Sequence, residues 1–284
     1  MRKILFIMSI LALAACGDDD DAVATPPAEP TPAPRLLTVE VTENPMQDEN
    51  ASTREMTTRT EAATTTATLN SFTMRYQDYT YEFTKSDSKW VSDPDTWPGS
   101  VGDNDPIDFY AYTDGTFYSS NPYVSFTMNE DAFHQKDFLV AKHKSISFND
   151  NSGKVSLTFN HACAAVQFNV YKEENADYTV SKIVLKDVIM EGKYYYDENT
   201  NWQIGNSTTD YTLTNVNGNG NITVTTNKQL LPCGWLFIIP QAKNSIKIEV
   251  TYNSGKTKTL NLSGSWEAGK QYTVDIRIGK AKTS

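Results

Sequence analysis

The sequence is poor in the residues that most enzymes use. It has three histidines and three cysteines among 284 residues, and no cysteine pair has metal-ligand spacing. Gly-x-Ser-x-Gly, His-Glu-x-x-His and phosphate-binding glycine loops are absent, which argues against the common hydrolase, zinc protease and nucleotide-binding functions. No cluster of lysine and arginine could follow a phosphate backbone. We therefore predict a protein that is not an enzyme, uses no cofactor or metal and does not bind nucleic acid.

A long apolar run is also lacking. The apolar stretch from Ile4 to Ala15 follows Arg2 and Lys3 and spans twelve residues. A helix of that length is too short to cross the roughly 30 Å of bilayer hydrocarbon. A short apolar segment after basic residues at the N-terminus instead predicts an export signal.

The apolar stretch ends at a cysteine that predicts lipidation. Leu13-Ala14-Ala15-Cys16 resembles a bacterial lipobox, whose cysteine is acylated on its sulfur and amine and becomes the first residue of the mature protein. We therefore predict a lipoprotein signal peptide at residues 1–15 and a lipidation site at Cys16, since several acyl chains on one residue anchor a protein stably. The alternative is a plain secreted protein with a cysteine here by chance.

Residues 16–35 are predicted to be a disordered tether. Four aspartates, Asp18 to Asp21, precede a proline-rich stretch at 25–34, and such a segment forms an extended spacer because it cannot bury a core. Residues 16–53 hold nine acids against Arg35 alone, a charge of −8 out of the formal net charge of −10. An acidic run beside an acylated cysteine resembles the signal that sends lipoproteins to the surface of the outer membrane. Alternatively, the aspartates only keep a linker solvated.

Residues 69–278 have the pattern of an all-β protein. Helical spacing of apolar residues is nowhere sustained, whereas period-two runs recur, as in Val155-x-Leu157-x-Phe159. The stretches between these runs are rich in asparagine and glycine, which suit tight turns. The pattern predicts antiparallel sheets with one solvated face, arranged as Greek-key sandwiches.

One strand pattern contains a register change. The apolar positions are odd-numbered up to Phe159 and even-numbered from Ala164 onward. Since a slip of one residue turns every side chain to the other face, we predict a β-bulge near His161 and Ala162. His161 is accordingly interpreted as a structural residue rather than a catalytic one.

Four blocks of sequence occur in the order found in one known family. They are Asp137-Phe-Leu-Val-Ala141, the segment from Leu157 to Phe168, Leu236-Phe-Ile-Ile-Pro-Gln241, and Trp266-Glu-Ala-Gly-Lys-Gln-Tyr272-Thr-Val-Asp-Ile276. In these blocks the chain resembles the fimbrillin-like (Mfa-like) lipoproteins, which build, anchor or tip the type V pili of Gram-negative anaerobes. The resemblance implies two tandem Greek-key, transthyretin-like β-sandwich domains after the disordered lipoprotein tether. We expect these domains at residues 36–171 and 172–284.

The resemblance also implies proteolytic processing. Pilins of this family are cut after an arginine by a surface protease, which removes the lipid and the first strand. Here it implies cleavage after Arg54 or Arg59, within a protease-sensitive loop at residues 50–68. The alternative is a linker with no processing role, because anchoring members of the family keep their lipid and their uncut strand.

The strand removed by such a cut would be residues 36–43. Its alternating Leu37, Val39 and Val41 would fill a groove that afterwards accepts a strand of another subunit. The expected partners are other pilus subunits, the outer membrane through the lipid, and a host or bacterial surface ligand. Polymerising members commonly carry a donor segment after the block ending at Ile276, and six residues follow Ile278 here, which favours an anchor, accessory or tip-like role.

A second function remains open. Tyr194, Tyr195, Tyr196, Trp202 and Trp235 could stack on sugars, as in a lectin-like surface lipoprotein that captures glycans for a nutrient-uptake system. Aromatic residues at this frequency in a β protein more often pack in the core. Exposed rings along a concave sheet would favour the lectin.

Two further groups of residues leave alternatives open. Cys163 and Cys233 could form a disulfide in an oxidising compartment, and the sequence does not decide whether they do. The oxygen-rich segments 103–108 and 149–152 lack the spacing of a defined calcium loop and are interpreted as turns.

The first prediction concerns the anchor. Cys16→Ser removes the acylation site, so it should abolish lipid labelling and release the protein from membranes. Replacing Asp18 to Asp21 by alanine should keep acylation and reduce surface exposure, which protease shaving of whole cells measures. Equal shaving of the alanine variant and the wild-type protein would contradict an export role for the aspartates.

Overall fold

The computed structural model describes residues 33–48, 68–197, 201–213, 221–231, 234–244 and 246–279. The chain divides into two units, Met1–Pro34 and Arg35–Ser284, and the strands of the described residues belong to the second. Cys16, Arg54, Arg59 and Cys233 lie outside the described residues, so what is predicted for them stays a prediction. In the ranges that the structure describes, no helix has the length and apolar character needed to cross a membrane.

Strands dominate the described secondary structure. The first twelve are β1 Thr38–Glu43, β2 Gln47–Asp48, β3 Ser71–Tyr76, β4 Tyr79–Ser86, β5 Lys89–Val91, β6 Ile107–Tyr112, β7 Thr116–Tyr118, β8 Tyr123–Thr127, β9 Leu139–Ile146, β10 Lys154–His161, β11 Ala164–Lys172 and β12 Tyr178–Ile189. They are followed by β13 Glu191–Tyr195, β14 Trp202–Ile204, β15 Thr208–Leu213, β16 Ile222–Val224, β17 Gln229–Leu230, β18 Leu236–Ile238, β19 Gln241–Ala242, β20 Lys247–Tyr252, β21 Lys256–Asn261, β22 Ser265–Trp266 and β23 Lys270–Ile278. Short helical turns occur at Ala132–His134 and at α1 Phe148–Asn151. The all-β prediction is confirmed.

The largest sheet has seven strands in the order β1-β10-β9-β6-β3-β4-β5. β1 runs parallel to β10, and the other neighbouring pairs are antiparallel. Residues of β10 are alternately exposed and buried, as the period of a strand requires. Most buried side chains of this sheet form one hydrophobic core, which includes Phe72, Met74, Phe83, Phe109, Val155, Leu157 and Phe159. Tyr110, Tyr112 and Val140, on β6 and β9, belong to a second core.

The remaining strands share a second hydrophobic core. They form sheets in the orders β17-β11-β23-β2, β15-β12-β20-β21 and β14-β13-β8-β7, with β18 also paired to β11, β16 to β12, and β19 to β22. The core includes Val166, Phe168, Val170, Leu185, Tyr211, Ile248, Trp266 and Ile276. Pairing of β8 with β13 and of β11 with β23 joins segments from both sides of Tyr171. The division into sandwiches at 36–171 and 172–284 stays a prediction.

The chain changes sheets where the sequence predicts a register change. β10 ends at His161 in the seven-stranded sheet, and β11 begins at Ala164 in the sheet that contains β23. The predicted inward positions are buried on both sides of the break, but the predicted bulge is wrong. Ala162 and Cys163 interrupt the strand instead, and the Ala162 amide donates to the Phe138 carbonyl (2.9 Å). When the chain passes to another sheet, the buried positions change from odd-numbered to even-numbered residues. Unlike a β-bulge, this change leaves no extra residue within the hydrogen-bonded ladder.

The second prediction tests the register of β11. Val166 and Phe168 are fully buried, so Val166→Ala or Phe168→Ala should lower the free energy of unfolding by about 2 to 5 kcal/mol. Gln167 is half-buried and its amide donates to Thr273 Oγ1 (2.9 Å), so Gln167→Ala should cost about 1 kcal/mol. Denaturant titration measures both. Equal losses at positions 166 and 167 would contradict this assignment of the two faces of β11.

Candidate functional site

The N-terminal segment covers one edge of the seven-stranded sheet. β1 is the terminal strand, and among the described strands only β10 pairs with it. Their parallel register runs from Thr38 beside Lys154 to Glu43 beside Phe159. Just beyond β1, the Asn44 amide donates to the Phe159 carbonyl (2.9 Å). Main-chain hydrogen bonds to a single neighbour therefore hold this strand on the sheet.

Residues before β1 fasten the start of the segment to the opposite end of the sheet. Leu36 forms an antiparallel bridge with Thr96, which follows β5, and the Leu37 amide donates to the carbonyl of Asp95 (2.7 Å). Arg35 pairs with Asp103 (Nε to Oδ1, 2.7 Å). The sheet thus curls far enough for the chain after β5 to meet the chain before β1.

The inner face of β1 matches the predicted alternation. Leu37 is 4% exposed and belongs to the first core, and Val39 and Val41 are half-buried against that core. The intervening Thr38, Glu40 and Thr42 are exposed. Three apolar side chains and a backbone ladder are the contacts that a replacement strand would reproduce.

After β1 the same segment crosses to a second sheet. β2 pairs in parallel with β23, and the Gln47 amide donates to the Gly269 carbonyl (2.8 Å). Met46 packs against the second core. The N-terminal segment, residues 36–48, therefore covers an edge of the seven-stranded sheet and an edge of the sheet containing β11 and β23. The sequence prediction ended this strand at residue 43 and missed β2.

A buried charged group lies at the end of β1. His161 Nδ1 is 2.7 Å from Asp137 Oδ2, and His161 Nε2 is 3.0 Å from Glu43 Oε1. The side chains of His161 and Asp137 are each 1% exposed, and that of Glu43 is 10% exposed. We call these three residues the histidine cluster. It links β1 to β10 and to the segment that precedes β9.

The geometry of the histidine cluster favours a charged imidazolium. Ionised carboxylates only accept hydrogen bonds, so a ring between two of them donates from both nitrogens, which requires the protonated form. Burial by itself lowers the pKa of His161, but the hydrogen bonds and charges of Asp137 and then Glu43 outweigh burial and raise that pKa above its ordinary value. The geometry and the direction of this shift both favour an ion pair between His161 and Glu43.

Most of the aromatic residues considered for glycan binding pack inside the protein. Those that belong to or pack against the second core are Tyr194, Tyr196, Trp202 and Trp235. The Trp202 indole also donates to the Ala162 carbonyl (2.7 Å). Tyr195 lies against Tyr123 with ring centroids 5.0 Å apart and ring planes inclined by 39°. These rings have protein partners rather than open faces along a concave sheet.

The other candidate residues make structural contacts. Cys163 is buried and unbridged in the described part of the chain, and burial, followed by the charge of Asp137, raises the pKa of its thiol. In the turn at 103–108, Asp103 pairs with Arg35, and Asp105 Oδ2 accepts from the Gly102 amide (2.9 Å). Across the described ranges, no group of three or more histidine, cysteine, aspartate or glutamate residues is arranged to hold a metal ion.

Sequence reasoning interprets His161 as a structural residue at a bulge and misses its two partners. Glu43 continues the inward alternation of β1, and an acid at an inward position signals a buried partner. Asp137 directly precedes the apolar strand β9, and that position does not by itself indicate a buried side chain. The residues of the histidine cluster are far apart in sequence, so only the strand order brings them together.

Comparisons with known proteins agree with this fold. The fimbrillin-like family matches residues 39–284. A fimbrial protein from Bacteroides vulgatus is similar with a TM-score of 0.55 and 17% identity, over 86% of this chain and 95% of that one. Candidate cell adhesion proteins from Parabacteroides distasonis (TM-score 0.54, 10% identity, 86% and 88% covered) and Bacteroides uniformis (0.51, 14%, 74% and 87%) are also similar.

No curated protein matches the chain. At identities of 10 to 17%, the solved structures establish a shared fold and no more. The family match is broader, because it covers both hydrophobic cores and nearly all of the described strands. The chain therefore belongs to the fimbrillin-like family.

Proposed function

We propose that this protein is a surface lipoprotein and pilus component that assembles by exchanging strands with another subunit. In the chain as synthesised, residues 36–48 cover two sheet edges. After proteolytic removal, a strand of a partner subunit takes their place. The observation that carries the proposal is the position of β1, a terminal strand that pairs with β10 alone among the described strands and presents Leu37, Val39 and Val41 to the core.

The connection to β3 supports this proposal. β2 ends at Asp48 and β3 begins at Ser71, so every covalent link between the N-terminal segment and the rest of the fold passes through the intervening residues. Arg54 and Arg59 lie there, outside the described residues. A cut at either leaves the N-terminal segment attached by noncovalent contacts, and its loss exposes unpaired main-chain groups on β10 and β23. Such an edge is a template for strand addition.

The proposed location follows from the same features. Acylation of Cys16 would hold the protein at the outer surface of the outer membrane, and a cut after Arg54 or Arg59 would release the folded part from its lipid. The partners would be other pilus subunits and a host or bacterial surface ligand. The protein would act by binding, without catalysis.

Glycan binding is a second candidate with one supporting observation. Tyr118, Tyr123 and Tyr195 form a row along β7, β8 and β13, with centroid spacings of 4.6 and 5.0 Å, and Tyr118 is 45% exposed. However, Tyr118 stacks on Tyr123 and Tyr195 is tilted against Tyr123, so the rings cover faces that a sugar would contact. The geometry therefore supports strand exchange better.

The third prediction tests strand exchange. An arginine-specific protease should cut the purified protein at Arg54 or Arg59 before it cuts after Arg35, because Arg35 is held by Asp103 and the Val101 carbonyl. Removal of the released segment should lower the melting temperature, since two sheet edges lose their ladders. Excess synthetic peptide of residues 36–48 should restore the melting temperature by mass action.

The control is the double variant Arg54→Gln/Arg59→Gln, which should stay uncut under the same conditions. A cut protein that keeps its melting temperature after the fragment is removed would contradict strand exchange. Glycan binding would then be the better supported function. Ladders of self-polymer on an unboiled denaturing gel would instead identify a stalk subunit.

A further inference from the structure

The inner face of β1 ends in a charge rather than in an apolar side chain. Leu37, Val39, Val41 and Glu43 occupy successive inward positions. Glu43 is 10% exposed and pairs with His161, whereas Glu40, on the outer face of the same strand, is 60% exposed and pairs with Lys154 at the surface. The two glutamates of β1 thus have opposite environments.

We propose that the edge covered by β1 selects its occupant by a carboxylate, which must lie two residues after the last groove-filling apolar side chain and pair with His161. This inference rests on the proposed strand exchange and adds the chemistry of the partner: an extended segment with alternating apolar residues followed, in phase, by glutamate or aspartate. The segment runs parallel to β10.

The discrimination comes from the cost of an unmatched buried charge. The His161 ring is already fixed on its other side by Asp137, so Nε2 points at the position of Glu43 whatever strand is bound. An apolar side chain there would leave a buried N–H without an acceptor, and an amide would accept that hydrogen bond without the compensating negative charge. A buried donor without a partner costs more than a mismatch in apolar shape.

The carboxylate also fixes the register of the occupant. A slip of one residue is excluded by the apolar alternation, because it would turn every apolar side chain outward. A slip of two residues keeps the alternate side chains facing inward, so apolar packing alone would permit it. In β1 such a slip would bring Val41 or Pro45 to the position of Glu43, opposite His161. The ion pair therefore separates registers that the apolar groove does not distinguish.

The stabilisation that the pair of His161 and Glu43 provides decreases as the pH rises. The titratable groups that the structure places around His161 are Glu43 from β1, Asp137 before β9, and the Cys163 thiol after β10. The pKa of His161 is raised in the folded protein, so the stabilisation is fully present below its ordinary value of about 6.5. It is lost as the pH rises through the folded pKa.

Peptide competition tests the inference. Full-length protein cut at Arg54 or Arg59 is incubated at pH 6 with a labelled peptide of residues 36–48, and unlabelled variants compete for the edge. The Glu43→Gln peptide should bind about 10- to 100-fold more weakly than the wild-type peptide, the loss expected for a hydrogen bond to a charged group. The Glu40→Gln peptide, which carries the same charge change on the outer face, should bind within about twofold of wild type.

The outcomes separate the two proposals. Failure of the wild-type peptide to bind would contradict strand exchange itself. Binding of the wild-type peptide with equal affinities for the Glu43→Gln and Glu40→Gln peptides would overturn carboxylate selection and leave strand exchange standing.

A measurement on the uncut chain does not depend on exchange. Glu43→Gln should lower the melting temperature by roughly 3 to 10 °C at pH 6, on the scale expected for a domain of this size, and by less at pH 9. Glu40→Gln should change it little at either pH. A Glu43→Gln loss that is the same at both pH values would show that Glu43 does not act through His161.

Discussion

The main-chain ladder between β1 and β10 is the interaction on which the arrangement of this protein depends. It closes the edge of the largest sheet, places Leu37 and the two valines on the first core, and directs the following residues to β23 in another sheet. The pairing is non-local, because residues 38–43 lie beside residues 154–159. The contacts of the ladder must therefore offset the entropy of closing a loop of more than a hundred residues.

The sequence predicts the local features of this fold and misses those that depend on strand order. Period-two patterning correctly predicts the buried positions of β10 and the even-numbered buried positions of β11, whereas the burial of Ala165 and Asn169 on the other face of β11 escapes it. The patterning does not show that β10 and β11 belong to different sheets, so it predicts a bulge as the simplest connection between them. β2 escapes prediction because Gln47–Asp48 has no apolar alternation and is held by backbone pairing.

The histidine cluster shows why a candidate site can be hidden in a sequence. Glu43 and His161 are 118 residues apart, and Asp137 is 24 residues from His161. Burying three ionisable groups gives a smaller net stabilisation than their mutual attraction suggests, because desolvation offsets much of it. Such a group adds specificity more readily than stability. Here it would specify where an edge strand begins and ends, which apolar side chains alone leave open.

The pairing of one short segment with two sheets has a mechanical consequence. β1 lies parallel to β10 and β2 lies parallel to β23, so tension along the segment acts along both ladders. The hydrogen bonds of a parallel ladder are evenly spaced and run at a slant from one strand to the next, so a pull along the strands shears them together instead of opening them one after another. A strand bound in this position would share the load between two sheets, and it would detach only when both ladders failed.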